Sequence, residues 1–250
     1  MGGGKQRLDL LLVERGLAES RAKAQALIMA GLVFSGEARL DKPGSTLGAD
    51  APLEVRGSPH PWVSRGGVKL AHGLDHFRID PAGMAALDVG ASTGGFTDVL
   101  LTRGARRVFA VDVGHGQLAW KLRQDPRVVV LERTNARRLT AAEIPEPPDL
   151  VVCDASFIGL ETVLPASLAL ARPGAHLIAL IKPQFEVGRA RVGKGGVVRD
   201  PALHQEVCER VARWLENEIG WQIGGLTESP ILGPEGNKEF LIHARRPSSR

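Results

Sequence analysis

Short apolar runs and amphipathic segments follow one another over most of the chain. The apolar runs have the length and composition of buried strands, and the segments between them have helical periodicity. Strands are predicted at 85–88, 108–112, 128–131, 150–154, 176–182, 221–226 and 239–244, and helices at 95–103, 116–124, 159–171 and 201–219. Seven strands spaced by such helices predict an α/β fold with a doubly wound, mostly parallel, Rossmann-like sheet.

The first sixty residues follow another pattern. A helix is predicted from Leu8 to Gly16 and a second from Ser20, its N-cap, to Gly31, with short strands at 32–34, 39–40 and 53–55. This order predicts a small α+β domain over 1–58. Prolines and the loss of periodicity predict a linker over 59–64, and the large domain then covers 65–250. Ser64 is predicted to cap a helix over 65–77.

The stretch Asp88–Asp98 carries the clearest chemical signal, because it reads as a strand, a glycine-rich turn and the start of a helix. Small residues and free N–H groups at such a turn suit a nucleotide-type cofactor. Ser92 stands where the second glycine of a dinucleotide motif would admit a pyrophosphate, so S-adenosylmethionine fits better than NAD. The predicted cofactor residues in the turn are Asp88, Gly90, Ala91, Ser92, Gly94, Gly95 and Phe96.

Polar residues end several predicted strands, at the edge of a parallel sheet where ligands bind. Asp112 is placed to accept hydrogen bonds from a ribose, and Asn135 either contacts an adenine or simply forms a turn. Asp88 likewise either contacts the ligand or orients the turn. Asp154 and Lys182 end two predicted strands that we expect to be neighbours, which brings a carboxylate and an amine beside the cofactor.

Composition narrows the class of protein. The chain of 250 residues has a net charge of only +4, and a polyanionic partner is favoured weakly. It has no apolar run long enough to span a membrane, so we expect a soluble, cytoplasmic protein. Two cysteines, Cys153 and Cys208, predict neither a disulfide framework nor a metal site. Basic residues without acidic neighbours in 187–199 make that loop a candidate RNA-contacting lid or an ordinary solvated loop.

Several motifs resemble those of a known family. The spacing in Arg7–Ala24, followed by Gly31-x-Val33, resembles an RNA-binding module of a small-subunit ribosomal protein. The segments 64–70, 88–98, 153–158, 181–186 and 236–239 resemble the FtsJ-like ribose 2'-O-methyltransferases. Together they resemble the TlyA family of rRNA (cytidine-2'-O)-methyltransferases, long labelled haemolysins. One departure is His60-Pro61-Trp62-Val63, where members of the family often carry a linker that begins with arginine.

The resemblance implies a catalytic tetrad and an RNA substrate. The tetrad is Lys69, Asp154, Lys182 and Glu239, and Asp154 also borders the cofactor. Lys182 is the expected base, with Asp154 as its orienting partner and the other two as positioning groups. The implied substrate is cytidine in the rRNA of both ribosomal subunits, and loss of its methylation would lower sensitivity to capreomycin. The predicted RNA contacts are Arg7, Arg21, Lys23, Arg65, Arg189 and Arg191.

Two other functions compete with this one. A membrane-active haemolysin would need an amphipathic or spanning segment with a large apolar face, and the sequence contains none. An RNA-binding factor for ribosome assembly without catalysis would not need the tetrad or the glycine turn. Methylation of amino groups by an aromatic-clamp site is disfavoured because the chain has no tyrosine.

Overall fold

The computed structural model describes residues 5–18, 20–56 and 60–248. The chain divides into two compact units, one up to Pro61 and one from Trp62 onward. The linker predicted over 59–64 begins at a residue outside the described ranges, and its bounds stay a prediction.

The N-terminal unit is a small α+β domain. Its elements are β1 (Lys5–Arg7), α1 (Leu8–Glu14), α2 (Arg21–Met29), β2 (Val33–Ser35), β3 (Ala38–Leu40), β4 (Thr46–Gly48) and β5 (Glu54–Val55). Strands β3, β2 and β5 form one antiparallel sheet, and β1 pairs with β4 in another. The β1–β4 pair was not predicted, because three-residue strands carry too little periodicity.

The two helices of this unit pack their apolar faces together. Ser20 caps α2, as predicted, by accepting a hydrogen bond from the main-chain N–H of Lys23 at 3.2 Å. Gly31 follows α2 with a φ of +70°, a conformation that glycine adopts without strain. The buried core between the helices and β2 consists of Leu8, Leu12, Ala18, Ala24, Ile28 and Val33.

The larger unit is built on one seven-stranded sheet, which confirms the predicted fold class. Its elements are α3 (Gly66–Phe77), β6 (Ala85–Val89), α4 (Gly95–Thr102), β7 (Arg107–Val111), α5 (Trp120–Arg123), β8 (Val128–Leu131), β9 (Leu150–Cys153), α6 (Leu160–Val163), α7 (Pro165–Leu170), β10 (His176–Ile181), α8 (Pro183–Glu186), α9 (Pro201–Asn217), β11 (Gln222–Glu228) and β12 (Phe240–Arg245).

The strand order is β11-β12-β10-β9-β6-β7-β8, and within this sheet β12 runs opposite to the other six strands. Apolar clusters cover the two faces of the sheet, one packed with α3 and α4 and the other with α6, α7 and α9. The chain leaves β6 toward β7 and later returns to β9 on its other side. This reversal opens a crevice at the carboxyl ends of β6 and β9.

Three predicted helices differ from the structure for local reasons. The helix predicted over 116–124 is reduced to α5, because Gly116 has a φ of +70° and the residues between it and Trp120 form a loop. The helix predicted over 159–171 is divided into α6 and α7, since Pro165 has no N–H with which to continue α6. Ser64 gives α3 no side-chain cap, and its main-chain oxygen accepts from Gly67 instead.

Candidate active site

Two adjoining cavities open in the larger unit at the carboxyl ends of its central strands. The larger cavity, of about 610 Å³, is lined by residues that follow β6, β7, β8 and β9. The smaller, of about 220 Å³, lies toward α3 and the end of β10. Four residues border both cavities: Gly90, Ser92, Asp154 and Ser156.

The glycine turn brings the backbone close to the sheet. Gly90 has a φ of +84°, and a Cβ added to it would lie 3.0 Å from the backbone of Ala155. A side chain at this position would therefore push the turn away from the residues after β9. Ala91, Gly95 and Phe96 line the smaller cavity, whereas Gly94 borders neither and packs against Leu122.

Asp88 lies under the turn and lines neither cavity. Its carboxyl is fully buried, and one oxygen accepts a 2.6 Å hydrogen bond from the hydroxyl of Thr97. Burial raises the pKa of Asp88 to about 7. Of the two roles that the sequence left open, this position favours orientation of the turn over contact with a ligand.

Asp112 and Asn135 line the larger cavity. The two carboxylate oxygens of Asp112 accept hydrogen bonds from the main-chain N–H groups of Ser92, at 2.8 Å, and Gly114, at 2.7 Å. These bonds fix the carboxylate and leave each oxygen a second lone pair for a ligand hydroxyl. Asn135 accepts from the N–H of Arg137 at 3.1 Å, so it forms the turn after β8 and borders the cavity as well.

The four predicted tetrad residues form two lysine–carboxylate pairs. Nζ of Lys69 lies 2.5 Å from Oε2 of Glu239, and Nζ of Lys182 lies 2.6 Å from Oδ1 of Asp154. Lys69 and Lys182 are each 7% exposed and line the smaller cavity together with Asp154. Glu239 is buried behind Lys69 and does not line it.

The topology explains how residues so far apart in sequence meet. Asp154 and Lys182 directly follow the neighbouring parallel strands β9 and β10. Phe240 of β12 pairs with Ile181 of β10, so the antiparallel strand delivers Glu239 to the same edge of the sheet. Lys69 comes from the first turn of α3, whose apolar side packs against the sheet.

Sequence reasoning gave no role to two residues of the segment after β9. Ser156 borders both cavities, and its Oγ accepts a hydrogen bond from Nζ of Lys182 at 2.8 Å. Phe157 is 88% exposed, has a φ of +67° and packs its ring 5.0 Å from that of Phe185. Both stand in the motif 153–158, and an exposed aromatic residue beside a strand end was the available signal.

The predicted RNA contacts in the larger unit differ in the partners that they already have within the protein. Arg65 is exposed and donates to the main-chain oxygen of Leu232 at 2.7 Å. Arg189 is exposed, whereas Arg191 forms a bidentate ion pair with Glu206, with N–O distances of 2.6 and 2.5 Å. The loop 187–199 is also fixed near its end, since Val198 is buried and its N–H donates to Asn237.

In the N-terminal unit, two of the three predicted RNA contacts hold a buried carboxylate. Arg7 and Arg21 both donate to Asp9, which is fully buried. Their side chains are 44% and 54% exposed, so each also presents part of its guanidinium to solvent. Lys23 is exposed on α2.

Both cysteines are buried, and burial raises the pKa of each thiol to about 12. Such thiols are poor nucleophiles at neutral pH. Within the described ranges, no three His, Cys, Asp or Glu residues are grouped as metal ligands would be. Across the same residues, every helix is too short or too polar to cross a membrane.

The chain resembles known methyltransferases over most of its length. The profile of the FtsJ-like methyltransferase family matches residues 62–246, and that of the S4 domain matches residues 6–51. The 16S/23S rRNA (cytidine-2'-O)-methyltransferase TlyA of Mycobacterium tuberculosis is 51% identical over 98% of this chain and 92% of its own length. The YqxC protein of Bacillus subtilis is 52% identical over 99% of this chain and 88% of its own.

A solved structure aligns with nearly the whole chain. It is a Streptococcus thermophilus protein, named provisionally as a hemolysin, with 43% identity and a TM-score of 0.77. The alignment covers 98% of this chain and 90% of that one.

Proposed function

Since the chain belongs to the TlyA family of FtsJ-like methyltransferases, we propose that it transfers a methyl group to the ribose 2'-hydroxyl of cytidine in 16S and 23S rRNA. The methyl donor of the family is S-adenosylmethionine. The observation that carries the proposal is the pair of lysine–carboxylate contacts on a cavity that adjoins the cofactor crevice.

The larger cavity fits the nucleoside part of the cofactor. Its volume, about 610 Å³, is in the range of pockets that enclose ligands of this size. Asp112 holds a fixed carboxylate toward it, as a ribose diol requires, and Asn135 borders it where an adenine edge would lie. The bound cofactor supplies an electrophilic methyl group on a positively charged sulfur.

Lys182 is proposed as the general base. A ribose hydroxyl is a poor nucleophile, so its proton must leave as the oxygen attacks the methyl carbon. The neutral amine of Lys182 would accept that proton and hold it at Nζ, and the cofactor would supply the methyl carbon that the oxygen attacks, with its sulfur as the leaving group. Asp154 orients Nζ and stabilises the ammonium that results.

Lys69 and Glu239 are proposed as a positioning pair. Lys69 lines the smaller cavity. Glu239, which directly precedes the strand β12, binds the amine of Lys69 from the buried side. The lysine then presents N–H donors to the oxygens of the incoming ribose. Phe157 is exposed and packs on Phe185, whose ring centroid lies 6.0 Å from Nζ of Lys182, and it offers a surface on which the target base can stack.

The N-terminal unit is proposed to dock on rRNA. It matches the S4 domain, and its exposed Lys23 and partly exposed Arg7 and Arg21 are suited to phosphate contacts that position the enzyme. Arg65 and Arg189 would add contacts near the cavity. We expect the enzyme to work in the cytoplasm, on ribosomal subunits.

The proposal is tested by transfer of labelled methyl from S-adenosylmethionine to isolated ribosomal subunits. Mapping of 2'-O-methylated nucleotides then identifies the modified cytidines, and omission of the enzyme is the control. Label in base atoms, or none in rRNA, would contradict the proposal. RNA binding without transfer would indicate the assembly factor, and liposome leakage independent of the cofactor would indicate the haemolysin.

A further inference from the structure

The amine of Lys182 has more partners than an ion pair requires. Its Nζ lies 2.6 Å from Oδ1 of Asp154, 2.8 Å from Oγ of Ser156 and 3.2 Å from the main-chain oxygen of Asp154. A protonated lysine has three N–H donors and no acceptor. The ammonium form therefore donates hydrogen bonds to Oγ of Ser156 and to the main-chain oxygen of Asp154, and forms an ion pair with the carboxylate of Asp154.

A lysine that acts as a base must turn a lone pair to the substrate instead. The neutral amine keeps two N–H donors, and its lone pair takes the third tetrahedral direction. The two hydrogen bonds, to the hydroxyl of Ser156 and to the main-chain oxygen of Asp154, take the two N–H directions. The carboxylate of Asp154 forms an ion pair with Nζ without accepting a hydrogen bond from it, so the third direction is left to the lone pair and a ribose hydroxyl.

We infer that Ser156 is a positioning residue, which with Asp154 sets the rotation of the Lys182 amine about its Cε–Nζ bond. One short hydrogen bond leaves an amine free to rotate, whereas two fix where its lone pair points. The inference rests on the proposed ribose methylation. Ser156 itself exchanges no atom in that reaction, since the proton passes from the 2'-hydroxyl to Nζ.

The surroundings of Ser156 indicate a role at the site rather than in folding. The residue is exposed and borders both cavities, and its Oγ bonds to Lys182. Removal of the hydroxyl therefore leaves no cavity in the core. It takes one acceptor from the ammonium form and one anchor from the neutral amine.

Single-turnover methylation at saturating S-adenosylmethionine, measured from acid to alkaline pH, tests the inference with Ser156→Ala and Ser156→Thr. We expect the alanine variant to react about 10- to 100-fold more slowly at neutral pH, as misoriented groups do. The acid limb of its rate profile should move to lower pH, because the ammonium has lost an acceptor. Threonine keeps the hydroxyl and should restore both the rate and the profile.

Binding of S-adenosylhomocysteine, followed by calorimetry, separates this role from a contact with the cofactor. Unchanged affinity in Ser156→Ala supports the inference. It is overturned if the alanine rate at saturating cofactor stays within about twofold of wild type at every pH.

A second readout does not depend on activity. In ¹⁵N NMR spectra, the ammonium hydrogens of Lys182 should exchange with water faster in Ser156→Ala than in wild type, and an unchanged exchange rate would contradict the inference. If wild-type enzyme methylates no ribose, the proposed function fails, and the exchange measurement still decides whether Ser156 anchors the amine.

Discussion

Two clusters of buried charge, one in each unit, use similar residues in different ways. In the N-terminal unit, Asp9 accepts four hydrogen bonds, two from Arg7 and one each from Arg21 and Gln25, all at 2.9 to 3.0 Å. Hydrogen bonds from Arg7 above all hold the pKa of Asp9 well below its usual range. Three of these bonds go to Oδ2 and one to Oδ1, so both oxygens of this carboxylate have partners.

The carboxylates of the tetrad are less fully hydrogen-bonded. Glu239 has one oxygen on Lys69, while its other oxygen, Oε1, is buried without a hydrogen-bond partner among the described residues. The two lysines face a cavity, whereas the donors of Asp9 close around it. A saturated network stabilises a fold, and one that leaves donors directed into a cavity can bind and react. The predictions below test this difference.

The largest effect is expected from Lys182→Ala. Loss of a general base should lower the methylation rate by about 10³-fold, while binding of S-adenosylhomocysteine is retained. Single-turnover assays and calorimetry measure the two quantities. Lys238→Ala is the matched control, because Lys238 pairs with Glu228 at the surface and should leave the rate unchanged. A near-normal rate in Lys182→Ala would exclude this residue as the base.

Asp9→Ala tests the saturated cluster. Its loss removes four hydrogen bonds to a buried carboxylate and should lower the stability of the N-terminal unit by about 3 kcal/mol. Hydrogen exchange measures this unit directly. All four tryptophans lie from Trp62 onward, so their fluorescence should show unchanged unfolding of the larger unit.

The exposed Asp41 supplies the control for that experiment, since Asp41→Ala should change neither readout. Equal hydrogen exchange in Asp9→Ala and wild type would mean that the cluster does not hold the fold, and that Arg7 and Arg21 are kept for RNA alone.

Glu239→Gln should have a smaller effect than loss of the base. Glutamine keeps the shape and one acceptor for Lys69 but removes the charge that holds its ammonium. We expect a rate about 10- to 100-fold lower, with a normal melting temperature. A large fall in stability without a further loss of rate would place Glu239 with Asp9 as a structural acid.

The sequence was informative about side-chain positions that depend on the order of the strands. Asp154 and Lys182 end neighbouring parallel strands, so their proximity depends only on the sheet topology, which the periodicity predicted. The hydrogen-bond partner of Arg7 and Arg21 could not be predicted from the order of the strands. Asp9 meets them through the packing of two helices, and an arginine that pairs with a buried acid has the same sequence pattern as one that binds phosphate.

Contacts made by irregular segments could not be predicted from the sequence either. Ser156 reaches Lys182 because the chain turns after β9, and no periodicity describes that turn. Gly116 delayed the start of one predicted helix and Pro165 divided another, since a single φ value or a missing N–H outweighs the helical pattern around it.

The smallest effect is expected from a partly buried pair of histidines, His176 and His243. Nδ1 of His176 lies 3.0 Å from Nε2 of His243, and burial, with His176 and Arg245 nearby, lowers the pKa of His243 to about 4. An unfolded histidine titrates near about 6.5, so the unfolded state takes up the proton first. The stability contributed by neutral His243 is thus complete above pH 6.5 and is lost as the pH falls toward 4.

His243→Gln isolates this contribution. Asp88, whose raised pKa acts with the opposite sign over the same pH range, is present in both proteins and cancels in their difference. Tryptophan-detected unfolding should show that the stability advantage of wild type over the variant shrinks by about 1 to 2 kcal/mol between pH 7 and pH 4. The exposed His115 gives the control, since His115→Gln should keep a constant difference. A difference that does not change with pH in His243→Gln would mean that the pair accepts a proton in the folded state, so that buried pairs outside the cavity are less saturated than Asp9 suggests.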